Sequence, residues 1–164
     1  MEKIAIIYYS FEGNCTLVGK ILQELFSGSG KTADIFAIKT LDTKKRTGFS
    51  KYVWGGSQVF MHKKPVIQPL AFDAASYSLI ILGAPVWAAS PAPAMASFLD
   101  TAKITGKRIA LFCCHAGGPG KALEKFRTLL PGNTFAGELD IFSPAKDPEA
   151  LTAKLKAWAE TLVQ

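Results

Sequence analysis

Three stretches of this chain are apolar on consecutive residues rather than on alternate ones: "KIAIIYY" at 3–9, "SLIILG" at 78–83 and "RIALFCC" at 108–114. A strand without a polar face has no side to turn to water, so it needs cover on both faces. Parallel strands sandwiched between helices meet that need. None of the three runs approaches the roughly 20 apolar residues that span a bilayer.

The intervening segments supply the helices. Leu17, Val18, Ile21, Leu22, Leu25 and Phe26 form a stripe at helical spacing over 14–27, with Lys20, Gln23 and Glu24 opposite. Gly28 and Gly30 close that helix in the manner of a C-cap. A second helix is expected from Pro91 or Pro93, carrying Met95, Phe98 and Leu99. A third is expected from Pro119, a residue suited to a first turn, carrying Ala122, Leu123, Phe126, Leu129 and Leu130. A last one is headed by Asp147-Pro148 and carries Leu151, Leu155, Trp158 and Leu162. "TADIFAI" at 32–38 and residues 134–142 carry polar residues at intervals, as edge strands do. With strands 2 and 5 at the edges, the simplest right-handed arrangement is a three-layer, doubly wound α/β fold. Its five-stranded parallel sheet has the order 2-1-3-4-5, within one domain over 1–164. The order reverses between strands 1 and 3, so a ligand is expected at the loops after strands 1, 3 and 4.

Those loops are the unusual ones. After strand 1, Ser10, Glu12, Gly13, Asn14, Cys15 and Thr16 lead into a helix start, where unpaired amides and the positive dipole end converge. Such a loop suits a phosphate; its plainer reading is a helix cap by Ser10 or Asn14. After strand 3 come Ala84, Pro85, Val86, Trp87 and Ala88, in which the indole is either a core aromatic or a flat wall for a planar ligand. After strand 4 come His115, Ala116, Gly117 and Gly118, whose backbone amides lie uncovered, or which form a loose turn. Together they describe a site for a planar ring bearing a phosphate.

The charge is uneven. Between Lys39 and Lys64 lie seven basic residues and one acid, which accounts for the entire net charge of +6. No helix-turn-helix, zinc-finger or RNP pattern accompanies it, so nucleic acid is not the expected partner. Three cysteines, of which only Cys113 and Cys114 are adjacent, make neither a disulfide framework nor a zinc spacing. With no signal-peptide pattern, a cytoplasmic location is expected. Cys15, at a helix start, is expected to have a lowered pKa and a possible redox-sensing role. "GSGKT" at 28–32 lacks the first glycine of a phosphate-binding P-loop, having Leu25 there, and precedes a strand rather than a helix. Cys114 and His115 fall on opposite faces of a strand, which argues against a hydrolytic pair.

The "S-x-x-G-N-x-T" loop, "GAPVW" after the third strand and "CHAGGPG" after the fourth resemble the flavodoxin family over nearly the whole chain. "YYSFEGN" and "WGG-x-Q" at 54–58 resemble its short bacterial branch most. The resemblance implies non-covalent FMN, with phosphate on Ser10, Gly13, Asn14, Cys15 and Thr16. It also implies that residues 84–88 and 115–118 border the ring. Glu12 departs from the family's Thr and is expected to offer its N–H while its side chain faces solvent. The implied function is redox: an oxidoreductase or electron-transfer flavoprotein with small-molecule or protein donor and acceptor, NAD(P)H among them. No catalytic side chain, metal or membrane is implied, and a homodimer is left open. A pure electron carrier and a cofactor-free interaction module are the alternatives. The carriers of that family are acidic, whereas this chain has a pI near 9.3; a basic segment suits an acidic donor or a nicotinamide dinucleotide phosphate. Phe49, Tyr52, Trp54 and Phe60 are expected to pack a short helix over the sheet, with Tyr52 or Trp54 near the ring.

Overall fold

In the computed structural model, residues 2–41, 50, 53–54, 57 and 64–163 are described. The apolar runs are central strands, as their two-sided hydrophobicity requires. Strand β1 (Lys3–Tyr9) leads into helix α1 (Asn14–Gly28), and β2 (Thr32–Ile38) follows. After a short 3-10 turn at Ala74–Ser76 come β3 (Leu79–Trp87), a two-residue strand β4 (Ser90–Pro91) and α2 (Pro93–Ala102). The chain continues with β5 (Arg108–His115), α3 (Ala122–Thr128), β6 (Thr134–Phe142), a 3-10 turn at Pro144–Lys146 and α4 (Pro148–Leu162). Among the described residues no helix is long and apolar enough to cross a membrane.

The five long strands are parallel in the order β2-β1-β3-β5-β6, which is the expected spatial arrangement. The sheet nevertheless has six strands, because β4 pairs antiparallel with the end of β3, Val86 opposite Pro91 and Trp87 opposite Ser90. One face buries Ile4, Ile6, Tyr8, Phe112 and Cys114 under Val18, Leu22 and Phe26 of α1 and Leu151, Leu155 and Leu162 of α4. The other buries Ile7, Ile80, Leu82 and Leu111 under Met95, Phe98 and Leu99 of α2 and Phe126 of α3. At Gly83 the ring of Phe112 on the neighbouring strand lies where a Cβ would stand, 1.9 Å from it, so glycine leaves the room this pairing needs.

Several element ends differ from the sequence reading: β5 runs on to include His115, and α3 stops at Thr128, before Leu129 and Leu130. Strand β3 does not stop at Gly83 but runs to Trp87, so Ala84 is a fully buried strand residue beside Cys113. Helix α3 opens at Ala122 rather than Pro119, since Pro119 spends its carbonyl on a turn that accepts the Ala122 N–H at 3.0 Å. Pro93 does stand in the first turn of α2, and the Asp147 carboxylate caps α4 by accepting the Ala150 N–H at 3.0 Å. Among the aromatics expected over the sheet, Phe49, Tyr52 and Phe60 lie outside the described residues, as do most of the basic residues between 39 and 64.

Candidate functional site

The carboxyl ends of β1, β3 and β5 border a cavity of about 460 Å³. Ser10, Glu12, Asn14, Cys15, Pro85, Val86, Trp87, Ala88, His115 and Ala116 line it. Gly13, Thr16, Ala84, Gly117 and Gly118 do not. Gly13 precedes α1 with φ 96°, a left-handed conformation that L side chains avoid. Its would-be Cβ meets nothing within 4 Å, so the turn rather than crowding calls for glycine.

The first loop is organised by Ser10. Its Oγ accepts the Gly13 N–H at 3.1 Å and the Thr16 N–H at 3.3 Å, which explains why those two residues shape the loop without lining the cleft. The hydroxyl keeps its own proton to donate. Leu17 N–H makes the first helical bond to Gly13 O at 3.0 Å. The Asn14 and Cys15 amides, the first two of α1, have no acceptor within the helix, and both residues line the cavity.

Cys15 corrects the expectation of a lowered pKa. Its side chain is 1% exposed within the core. Burial, with Cys114 beside it, holds the thiol well above the usual range. The helix dipole favours the thiolate, but the loss of hydration outweighs it. What Cys15 offers the cleft is its amide, not a side-chain donor. Cys113 is likewise pushed up to about 12 by burial. Glu12 is exposed and lines the cavity.

Trp87 is the aromatic wall, and its ring is fixed by edges. Tyr9 meets it at 5.9 Å and 85°, Phe11 at 5.6 Å and 87°, and Trp54 at 5.2 Å and 70°. Trp54 also stacks on Phe11 at 5.6 Å. Trp54 therefore backs the wall and is not among the cavity's lining residues. Beyond Trp87 the chain reverses at Ala88 and Ala89, with φ 48° and 55°, the two-residue hairpin geometry that asparagine and glycine ordinarily fill. Lys125 of α3 braces this hairpin through Ser90 Oγ at 2.8 Å.

At the third loop, the amides are not all bare. Gly118 N–H donates to His115 Nδ1 at 3.0 Å, while His115 Nε2 meets Asp140 Oδ2 at 2.9 Å. Asp140 is thus an orienting group for His115. With both ring nitrogens occupied and Cys114, which touches the cavity wall, buried in the core cluster across the sheet, the pair makes no nucleophile and base. His115 is also not disposed to hand a proton into the cleft.

Sequence reading missed the fourth wall. Ser143, Ala145 and Lys146 line the cavity, brought there by the 144–146 turn packing against α1. Ser143 has φ 41° and its N–H donates to His115 O at 2.8 Å. A lysine within two residues of the Asp147-Pro148 helix start was the available signal. It lies after β6, outside the three loops that the topology rule selects.

No protein-family model matches the chain, and no curated protein sequence does. Solved structures do. A flavoprotein from Lactobacillus acidophilus NCFM, solved in complex with FMN, is 25% identical with a TM-score of 0.69, over 88% of this chain and 97% of that one. A protein from Bacteroides eggerthii described as a candidate flavoprotein is 15% identical at a TM-score of 0.78, over 100% and 99%. A flavodoxin from Bacillus cereus is 16% identical at 0.58, over 99% and 97%. By the order of its sheet and by these structural relatives, the chain has the flavodoxin-like fold.

Proposed function

We propose that the chain binds one FMN non-covalently and works as a redox protein, an oxidoreductase that draws on NAD(P)H. One observation carries the reading. A helix start with two unpaired amides, a hydroxyl donor and a wall-forming indole border the same cavity, in a fold whose Lactobacillus acidophilus relative was solved with FMN.

The donor set fits the group. A phosphate takes the Asn14 and Cys15 amides, the Ser10 hydroxyl and the charge of Lys146, with Gly13 and Thr16 holding Ser10 in place. The ring takes the Pro85–Ala88 edge with Trp87 on one side and the His115–Ala116 backbone on the other. Bound FMN supplies hydride and single-electron chemistry, and the protein contributes binding, orientation and water exclusion. Three cysteines without a disulfide partner fit a reducing compartment, so a cytoplasmic location accompanies the proposal.

The test is the visible spectrum of the purified protein, with mass measurement of whatever denaturation releases. A yellow preparation releasing FMN supports the reading. A colourless one that takes up no added FMN overturns it. Steady-state turnover with NADH or NADPH and a quinone then separates an oxidoreductase from a pure electron carrier, which shows none.

A further inference from the structure

His115 ends β5 with both ring nitrogens engaged. A backbone N–H can only donate, so the Gly118 bond at 3.0 Å leaves Nδ1 without a proton. A carboxylate accepts, so the proton faces Asp140 from Nε2 at 2.9 Å. The side chain is 6% exposed, with the Phe142 ring at 5.9 Å. The backbone is pinned as well, through Ser143 N–H to His115 O at 2.8 Å. Gly118 itself has φ 121°, a conformation reserved for glycine. The loop between these two residues therefore has one side-chain fastener, a lone pair on one imidazole nitrogen.

We propose that His115, as the neutral tautomer with its proton on Nε2, is the positioning residue of the 115–118 loop. It holds the Ala116 amide at the rim of the cleft, and a second proton releases it. This rests on reading the cleft as an FMN site, in which that amide borders the polar edge of the ring.

The neighbouring charges set the direction. Asp140 of β6 keeps its contact with an imidazolium, while Gly118 N–H then faces another N–H and loses its acceptor. Lys154 of α4 donates to the Asp140 carbonyl at 2.8 Å. Glu138, one turn of the pleat away on β6, is held by Arg127 of α3 at 3.2 Å. Cys113, two residues back on β5, stays neutral, and Lys146 lines the same cleft. A second proton on the ring is thus expected to loosen the loop.

Two measurements on the full chain test this. Nitrogen-15 NMR of the FMN-free protein, with His115 assigned by its loss in His115→Asn, is expected to show an unprotonated Nδ1. The Gly118 amide should be protected from exchange at pH 8 and unprotected near pH 5. FMN titration followed by flavin fluorescence is expected to give an affinity about tenfold weaker at pH 5.5 than at pH 8, the scale of one lost hydrogen bond. His115→Leu should bind about tenfold more weakly at pH 8 with a flat pH profile. In His115→Asn, whose Oδ1 can stand in for Nδ1 as acceptor, most of that loss should return and the profile stay flat. A proton on Nδ1 in the free protein overturns the proposal, as does His115→Leu with the parent's affinity and profile. A parent that takes up no FMN at any pH sinks the cofactor reading instead, and the NMR measurement alone then decides the role of His115.

Discussion

Lys146 brings a full charge to a cleft whose other donors are amide dipoles and a hydroxyl. An exposed ion contributes little, on the order of 1 kcal/mol, and salt screens it within about 10 Å at 0.1 M. Lys146→Ala is therefore expected to weaken FMN about three- to tenfold at low salt, less at high salt, and to leave riboflavin uptake unchanged. Paired titrations with the two flavins check it; an equal loss for both would remove Lys146 from the phosphate. The cysteines show the opposite case, where surroundings silence a reactive side chain. With Cys15, Cys113 and Cys114 all buried and two of the thiols raised by burial, an aromatic disulfide reagent should label the native protein slowly. Labelling of all three should become fast on unfolding in urea.

At the level of elements, the β3–β4 hairpin carries the wall that the indole forms. Its two central residues adopt a left-handed conformation as alanines, at a cost of about 1 kcal/mol or more each. Replacing Ala88-Ala89 by Asn-Gly is expected to raise stability by about 1 kcal/mol, read as a higher urea midpoint at unchanged slope. This hairpin also marks where sequence reading stopped. Two-sided apolar runs reveal central strands because nothing else explains such burial, and the order of the sheet followed from the polar edge strands. The last four residues of β3 read as loop, since the continuous apolar run ends at Gly83 and Pro85 follows without an N–H to give a ladder. In the structure its carbonyl accepts the Ala92 N–H at 3.0 Å, and the strand survives the missing donor. Ser10, Asn14, Trp87 and His115 were legible because their chemistry is conspicuous at the ends of buried strands. The arrival of Ser143 and Lys146 was not, since it depends on how the last turn packs on α1. Nor did spacing alone reveal that Cys15 faces the core.

Among the described residues, a polar cluster ties the sheet at the end opposite the cleft. Near the strand starts, Asp34 accepts the Tyr77 hydroxyl at 2.8 Å and pairs with Lys3 at 3.2 Å, whose ammonium lies 4.8 Å from the Tyr77 ring. The Tyr77 hydrogen bond, with Lys3 adding to it, holds the Asp34 carboxyl below its usual range. A carboxyl lowered on folding adds stability that is fully present above its unfolded value, about 3.9. That stability is lost as pH falls through the folded value. Tyr77→Phe is expected to lower stability at pH 7 by about 1 kcal/mol and to lessen the further loss on acidification below about pH 4. Urea midpoints at pH 7 and pH 3 check both parts, and FMN uptake at pH 7 should not change.

The same polarity governs how the chain can be handled. Helix α1 starts at the cleft and runs about 22 Å away from it, and Val163 shares a groove with Gly28 and Ser29 at its far end. Glu2 precedes β1 at that end too, next to Lys31, to which it is bonded at 2.7 Å. An electrode linker, a bead or a reporter attached beside Glu2 or Val163 is therefore held behind the cleft, with the opening turned toward the bulk.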